Sequence, residues 1–380
     1  ELLKDGAVAA FRELLQDCCR NDADNFVSHC GEFESLLFQQ SDCWTAYLRR
    51  AVMESENVCI RNWASGAVTA VQEECLNREL AFLDRLSQVT LDDLTAGLDH
   101  APDFLVGWRT EGGSIAQDYR QRMQEVGEKG YGIFARYHMF TVENGQLVPV
   151  KHPDPQQLEQ LPGYEQERQK VIANTQALLD GNPANNVLLY GDAGTGKSSA
   201  IKAIANNFAE QGLRLVEVKK NQLYQIPDLM DALAANPLKF ILFIDDLSFT
   251  SNDDNFAALK AILEGSVGGR AQNIAVYATS NRRHLIKETM TDRNGDDIHE
   301  SDTRQELMSL SARFGLTVTF ASPDRDRYLY IVGELAKQYG VDLDEHTLAV
   351  RSEAFAIRMG GRSARVAKQF IELCKSGVQV

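Results

Sequence analysis

The sequence contains no long hydrophobic run, and this absence argues against a membrane span. No window approaches the roughly 18 consecutive apolar residues that indicate a transmembrane helix. No signal peptide is visible either, but the chain begins at Glu1 without a methionine, so a leader removed from its front stays open. We therefore expect a globular protein without membrane contact and, at 380 residues, two or three domains.

Cysteine pairs with metal-binding spacing are also missing. The chain has seven cysteines, six of them between Cys18 and Cys75, but no C-x-x-C pair. His29 next to Cys30 matches no zinc spacing, so no zinc site is expected. An odd cysteine count without a disulfide framework indicates a reducing, cytoplasmic location, and we interpret the cysteines as small core residues.

Basic residues are scarce in the first part of the chain. The formal net charge is −15 overall, and residues 1–150 contribute −11 of it. An acidic segment of this kind is a poor binder of the nucleic-acid backbone. Residues 151–380 are nearly balanced in charge, so a local basic patch there stays open.

Residues 1–130 are predicted to form a mainly helical N-terminal domain. The stretches AVAAFRELLQDCC and NRELAFLDRLSQV repeat apolar residues at three- and four-residue spacing. Thr90 is the expected cap of a following helix with two acids in its first turn, and a further amphipathic helix fits 115–128. None of these helices carries a motif with a chemical mechanism.

The pattern changes at residues 131–160. Two β-like runs flank the Asn144-Gly145 turn, which predicts a β-hairpin. The proline-bearing stretch HPDPQQLEQLPGYEQER then predicts a linker and a domain boundary.

The rest of the chain alternates short apolar runs with helical segments. The runs are 186–191, 213–218, 239–245, 273–279 and 316–320. Nearly all-apolar runs of this length predict parallel strands covered on both faces, and therefore an α/β fold. Residues 161–322 are predicted to form this core, and residues 323–380 a helical C-terminal segment.

A phosphate-binding loop follows the first of these strands. GDAGTGKSS fits G-x-x-x-x-G-K-[ST], after a strand and before an amphipathic helix. Successive backbone N–H groups and the helix N-terminus favour nucleotide phosphates. Lys197 is expected to contact the β- and γ-phosphates and Ser198 to ligate Mg²⁺. The predicted nucleotide-binding residues of the loop are Gly191, Asp192, Ala193, Gly194, Thr195, Gly196, Lys197, Ser198 and Ser199.

Polar side chains follow two further strands. Asp245 and Asp246 follow the apolar run of FILFIDDL, and Asn281 follows the strand of YATSNRRH. They should meet at the carboxyl edge of the sheet, where open α/β sheets bind ligands. We expect Asp245 to hold Mg²⁺, Asp246 to orient or deprotonate the attacking water, and Asn281 to contact the γ-phosphate or that water. The alternative, that the paired acids only cap a helix, stays open.

Two arginines complete the predicted site. Arg313 stands alone among apolar residues just ahead of the fifth strand, where it can reach a neighbouring subunit's γ-phosphate and stabilise the charge of phosphoryl transfer. Arg365 falls in the first turn of a helix if Ser363 caps it, and the helix dipole disfavours a cation there unless an anion is near. Arg362 competes for the same role, and an ordinary surface position is the alternative for both Arg313 and Arg365.

In this order the motifs resemble those of the AAA+ ATPases. GDAGTGKSS resembles their Walker A motif, FILFIDD Walker B, ATSN sensor 1, SARFG the arginine-finger box and GRSAR sensor 2. More narrowly, PANNVLLYGDAGTGKSS and YATSNRRHL are similar to an uncharacterised bacterial AAA+ family known as a domain of unknown function. The similarity covers about 160–380.

The resemblance implies an αβα core with a five-stranded parallel sheet and a C-terminal helical lid at 323–380. It implies ATP and ADP as nucleotides, Mg²⁺ as the metal, and a homo-oligomeric ring, such as a hexamer, in which Arg313 serves the adjacent site. It also implies that Tyr164, in LPGYEQER, lines the adenine pocket and that Arg365 or Arg362, both in GRSAR, is the sensor 2 arginine.

Two departures from the AAA+ pattern refine this expectation. Asp245-Asp246 stands where many AAA+ proteins have Asp-Glu, and the shorter side chain predicts slower or altered positioning of water. The interval before Walker B lacks the aromatic–apolar–Gly pore loop of unfoldases, which disfavours the threading of protein substrates. The acidic stretch 291–302 is interpreted as a solvated loop.

We therefore expect an ATP hydrolase that couples nucleotide state to the assembly or remodelling of an unknown partner, recruited by the acidic front. The alternative is a nucleic-acid-associated loader or ATP-gated switch with slow hydrolysis, in which Arg282, Arg283 and His284 form a contact surface. A small-molecule kinase is a third class, and Arg313 argues against it because such kinases need no arginine in trans.

Overall fold

Two hydrophobic cores divide the chain into two units, Glu1–Arg136 and Tyr137–Val380. The computed structural model describes residues 2–99, 104–248, 258–260, 262–263, 271–281 and 312–378. Of the helices within these ranges, none is both long and apolar enough to cross a bilayer.

The first unit is helical, as predicted. Its α-helices in the described ranges are α1 (Gly6–Arg20), α2 (Ala23–Phe38), α3 (Trp44–Glu54), α4 (Val58–Ala64), α5 (Ala70–Leu86), α6 (Leu91–Thr95), α7 (Ile115–Gln124), α8 (Val126–Lys129) and α9 (Ile133–Arg136). The rings of Phe11, Phe33 and Trp44 pack together in the core, with centroids 4.4 to 5.1 Å apart.

Helix ends in this unit follow local polar signals. The predicted cap at Thr90 is confirmed, because its side chain accepts a hydrogen bond from the N–H of Asp93 at the start of α6. The prediction of one helix over 115–128 is wrong in one respect. The helix is interrupted between α7 and α8 because the backbone of Glu125, with φ −94° and ψ 12°, leaves the helical range.

The second unit is an α/β structure around one sheet. Its described strands are β1 (Met139–Glu143), β2 (Gln146–Pro149), β3 (Val187–Gly191), β4 (Leu213–Glu217), β5 (Lys239–Ile244), β6 (Ile274–Ser280) and β7 (Leu316–Phe320). Their order is β2-β1-β4-β5-β6-β3-β7, and each neighbouring pair is parallel except β1–β2. Strands β5 and β6 are buried at nearly every position, which confirms that both faces of the central sheet are covered.

The expectation of a five-stranded sheet is corrected to seven strands. The predicted hairpin forms, with Asn144 at φ 51° and Gly145 at φ 78°, and both residues therefore have the left-handed backbone that a two-residue turn favours. Instead of lying outside the sheet, β1 pairs in parallel with β4, so that Met139 lies beside Leu215. The hairpin thus covers an edge that β4 would otherwise expose.

Helices complete the second unit. Helices α10 (Glu165–Leu179), α11 (Lys197–Asn207) and α12 (Ile226–Ala234) lie between the strands in sequence. The C-terminal helices are α13 (Arg325–Tyr339), α14 (Glu345–Arg358) and α15 (Ala364–Lys375). They share one core with the sheet, to which they contribute Tyr328, Ile331 and Phe370.

Candidate functional site

Three adjacent strands bring the predicted site residues together. The order β5-β6-β3 places three carboxyl ends side by side. The phosphate loop follows β3, Asp245 and Asp246 follow β5, and Asn281 follows β6. Residues separated by up to 90 positions in sequence thereby meet at one edge of the sheet.

The glycines of the phosphate loop have backbone conformations that other residues rarely adopt. Gly191, Gly194 and Gly196 have φ of 142°, 78° and 93°. A Cβ atom on Gly191 would lie 1.9 Å from the carbonyl oxygen of Phe320, so only glycine fits beside β7. Gly196 is the N-cap of α11, which starts at Lys197 and directs its N-terminus to the loop.

The remaining loop residues differ in exposure. Thr195 is 2% exposed, and its hydroxyl donates to the carbonyl of Asp192 at 2.9 Å. Asp192 and Ala193 are exposed, whereas Ser199 is half-buried in the first turn of α11.

Lys197 connects the phosphate loop to the end of β6. Its Nζ donates to the carbonyls of Gly191 and Asp192 at 2.8 Å each and to Asn281 Oδ1 at 3.0 Å. The residue is 6% exposed, and this burial lowers the pKa of the ammonium group. The loop therefore holds a partly desolvated cation, which strengthens its attraction for an anion.

Ser198 and Asp245 form the predicted metal-binding pair. Ser198 Oγ donates to Asp245 Oδ1 at 2.6 Å. Thr279 Oγ1 donates to the same oxygen at 2.5 Å, a contact that sequence reasoning did not assign. A hydroxyl and a carboxylate this close supply the hard oxygen atoms that Mg²⁺ prefers, and Mg²⁺ usually keeps several waters as its other ligands. These two residues therefore fit that metal.

Asp246 has an unusual backbone at the end of β5. Its φ of 50° is left-handed, which is rare for a residue other than glycine. Its N–H donates to Thr279 Oγ1 at 2.9 Å and to Asp245 Oδ1 at 3.1 Å. Its exposed carboxylate accepts a hydrogen bond from Asn281 Nδ2 at 2.8 Å. Strained residues of this kind are often found at functional sites.

Asn281 links the loop lysine to the second carboxylate. Its amide oxygen accepts from Lys197, while its amide nitrogen donates to Asp246. One side chain thus fixes the spacing between the cation and the acid.

The two C-terminal arginines have different surroundings. Ser363 caps α15, since its side chain accepts a hydrogen bond from the N–H of Val366, and the condition for placing Arg365 in the first turn is met. Arg365 lies in the first turn with an exposed side chain, and its N–H donates to the carbonyl of Gly194 at 3.0 Å. Arg362 instead binds Glu353 through two nitrogens, at 2.8 and 2.7 Å, and this hydrogen bonding lowers the pKa of that carboxyl group.

Tyr164 lies in the core, under the segment that joins β7 to α13. It is 2% exposed, its ring stacks on Phe320 at 5.2 Å, and its hydroxyl donates to the carbonyl of Ala321 at 2.6 Å. Arg327 covers the ring, with its guanidinium carbon 4.9 Å from the centroid. Burial raises the pKa of Tyr164 to about 12.

A cavity of about 540 Å³ opens nearby, between the stretch before α10 and the C-terminal helices. Leu161, Pro162, Leu335 and Ala364 contribute apolar surface to it. Tyr164 is absent from its lining, so a contact between this ring and adenine stays a prediction.

Arg313 lies at the other end of the sheet from the phosphate loop. It precedes β7, which runs parallel to β3 and pairs Leu316 with Val187 and Phe320 with Gly191. The half-buried side chain therefore starts at the amino end of the strands, whereas Lys197 and Asp245 lie at the carboxyl ends. Arg282, Arg283, His284 and the acidic stretch 291–302 fall outside the described residues.

One family model matches most of the second unit. It is described as "Protein of unknown function (DUF815)" and covers residues 134–378. The chain belongs to this family. The match includes every residue assigned above to the site, and it confirms the prediction that the chain belongs to a family of unknown function. No protein with a curated description matches the chain.

Solved structures similar to the chain include two variants of RuvB from Thermotoga maritima. A threonine-to-valine variant is 17% identical with a TM-score of 0.39, over 58% of this chain and 66% of that one. A lysine-to-arginine variant is 16% identical with a TM-score of 0.37, over 57% and 63%. This chain thus spans less than two thirds of the length of either RuvB chain.

Proposed function

We propose that this protein is an AAA+ ATPase that binds ATP with Mg²⁺, hydrolyses it to ADP, and couples the nucleotide state to the assembly or remodelling of a partner. One observation carries the proposal: Lys197, Ser198, Asp245, Asp246 and Asn281 form a single hydrogen-bonded group at the end of three adjacent strands. These are the side-chain types that phosphoryl transfer to water requires.

Binding depends on the loop and on the first turn of α11. The backbone N–H groups of the loop and the N-terminus of α11 face the phosphates, and Lys197 neutralises their charge. Ser198 and Asp245 hold Mg²⁺, which offsets negative charge on the phosphate oxygens. The cavity near Leu161 and Ala364, whose lining combines apolar and polar side chains, is the proposed place for the base.

Hydrolysis depends on Asp246. Its carboxylate is exposed at the sheet edge and held by Asn281, so it can accept a proton from a water or orient it. Because aspartate is one methylene shorter than glutamate, its reach to that water is shorter, and we expect slow turnover.

Two arginines outside this hydrogen-bonded group also take part in the proposal, together with the C-terminal helices. Arg365, whose own backbone contacts Gly194, extends the positive surface beside the loop, and helices α13–α15 act as a lid. Arg313, at the far end of the strands, serves the nucleotide of an adjacent subunit in a ring. A guanidinium supplied in this way accelerates hydrolysis by roughly 10³ to 10⁵ in GTPases.

The partner is proposed only by class. The acidic N-terminal segment suits recruitment of a protein better than contact with nucleic acid. The alternative is a nucleic-acid-associated loader or switch, and stimulation of turnover by DNA would favour it.

The test compares two lysines of α11. Lys197→Ala should abolish ATP binding by calorimetry and phosphate release with Mg²⁺, because the loop loses its cation. Lys202→Ala is the matched control. This lysine lies on the same helix, but its ammonium group pairs with Glu217, at 3.9 Å, and has no proposed role in the site. Equal ATP binding by both variants would refute the assignment of the site.

A further inference from the structure

A carboxylate within the phosphate loop binds the segment that leads into the C-terminal helices. Asp192 Oδ2 accepts a hydrogen bond from the N–H of Ser322 at 2.8 Å. Ser322 belongs to the connecting segment, residues 321–324, between the end of β7 and the start of α13. The two residues are 130 positions apart in sequence.

The sheet register explains how they meet. Gly191 and Phe320 are partners in the parallel ladder of β3 and β7, so the loop and the connecting segment leave the sheet side by side. The close approach of Gly191 to the Phe320 carbonyl, where no Cβ fits, brings Asp192 within reach of Ser322. The strand pairing in the core, and not the exposed side chains, therefore brings Asp192 close to Ser322.

The same loop also contacts the last helix. The carbonyl of Gly194 accepts from the N–H of Arg365 in α15. A Cβ on Gly194 would lie 3.0 Å from Ser363 Oγ, so there is little free space between the loop and the start of α15. The loop therefore holds the C-terminal helices at their entry and again at α15.

A second anchor holds the connecting segment independently of the loop. Tyr164, just before α10, donates its hydroxyl to the carbonyl of Ala321. Arg327 covers its ring and pairs with Glu167 at 3.2 Å. The segment is thus fixed on one side by core residues and on the other by Asp192 of the phosphate loop.

The charge of Asp192 is unfavourable for the proposed ligand. A carboxylate beside bound phosphates weakens their binding by like-charge repulsion. The hydrogen bond to Ser322 holds that charge at the connecting segment, and a charged acceptor makes such a bond stronger than a neutral one. The charge therefore affects how tightly the loop binds the nucleotide, whereas the hydrogen bond to Ser322 connects the loop to the segment that leads into helices α13–α15.

We propose that Asp192 is a positioning residue that couples the occupancy of the phosphate loop to the position of helices α13–α15. The inference rests on the proposed function, because it takes a nucleotide as the ligand of the loop. It assigns to Asp192 the transmission of the nucleotide state and no contact with the reacting atoms.

Two substitutions separate the charge of Asp192 from its hydrogen bond. Asp192→Asn removes the charge but keeps an oxygen that can accept from Ser322, whereas Asp192→Ala removes both. Both variants should bind ATP more tightly by about fivefold, from the loss of one negative charge near the phosphates. Asp180→Ala is the control for charge removal. This exposed acid follows the end of α10 and accepts a hydrogen bond from Gln176 of that helix.

Hydrogen–deuterium exchange of the full chain supplies the readout. Without nucleotide, the Ser322 amide should exchange at least about tenfold faster in Asp192→Ala than in the wild type or Asp192→Asn, because it loses its acceptor. Addition of ADP or ATP should change exchange in the first turn of α13, which follows Ser322, in the wild type and in Asp192→Asn, but not in Asp192→Ala.

The outcomes distinguish the two proposals. If Asp192→Ala and Asp192→Asn respond equally to nucleotide while both bind it, the coupling role is wrong and the proposed function stands. If the wild type binds neither ATP nor ADP, both proposals are overturned. Faster Ser322 exchange combined with loss of the α13 response in Asp192→Ala alone supports the coupling role.

Discussion

At the scale of single residues, the site depends on backbone positions as much as on side chains. Asp246 has a left-handed backbone, and its N–H is held by Thr279 and Asp245. This arrangement presents its carboxylate to Asn281. The proposed role of Asp246 in hydrolysis uses this exposed carboxylate.

Asp246→Asn should retain ATP binding and lower the rate of hydrolysis by about 100-fold or more, because an amide cannot accept the proton of the attacking water. Asparagine tolerates a left-handed backbone, so the thermal midpoint should not change. Single-turnover phosphate release measures the effect. Asp245→Asn is the companion variant, and it should weaken the Mg²⁺ dependence of binding instead. Unchanged turnover in Asp246→Asn would show that another group handles the water.

The motifs predicted which residues form the site but not how they contact each other. Lys197, Ser198, Asp245 and Asn281 could be selected from the spacing and from the strand ends. The bond of Thr279 to Asp245 and that of Asp192 to Ser322 could not, since they depend on strand register between segments 34 and 130 positions apart.

At the scale of elements, apolar runs predicted β3–β7 to within one or two residues. Strands β3–β6 are buried at most positions, as expected of strands covered on both faces, whereas β7 alternates between buried and exposed residues. The Asn144-Gly145 turn predicted the hairpin from local chemistry. It carried no information on where the hairpin pairs, since the partner strand β4 begins only at Leu213. The sheet therefore has two more strands than the resemblance implied.

The start of helix α15 provides the prediction at this scale, because the structure separates the two candidate arginines there. Arg365 lies in the first turn, and Arg362 lies just before the cap residue Ser363. Arg365→Ala should weaken ATP binding by about three- to tenfold, since an exposed cation near the loop is lost. Arg362→Ala should leave ATP affinity nearly unchanged and lower the thermal midpoint, because it removes the ion pair with Glu353. Titration calorimetry and thermal unfolding of both variants measure these effects. The reverse ranking of affinities would assign the nucleotide contact to Arg362.

At the scale of the whole molecule, the proposed role of Arg313 in hydrolysis would need a neighbouring subunit. The arginine precedes β7 at the amino end of the parallel strands, and the phosphate loop follows their carboxyl ends. A role for Arg313 in hydrolysis is therefore consistent with a ring, in which it faces the site of a neighbour. Activity should then rise with protein concentration. The sequence could suggest this arrangement only through resemblance, because one chain carries no record of its neighbours.

Mixing two inactive variants tests this central claim most directly. Arg313→Ala keeps an intact Asp246, and Asp246→Asn keeps an intact Arg313. In a mixed ring, a site is complete only where Asp246 of one subunit meets Arg313 of its neighbour. With equal amounts and random assembly in a closed ring, about a quarter of the sites should be complete and ATP hydrolysis should recover to about that level. Each variant alone should stay inactive. If the mixture assembles but hydrolysis does not recover, Arg313 does not act in trans and the account is contradicted.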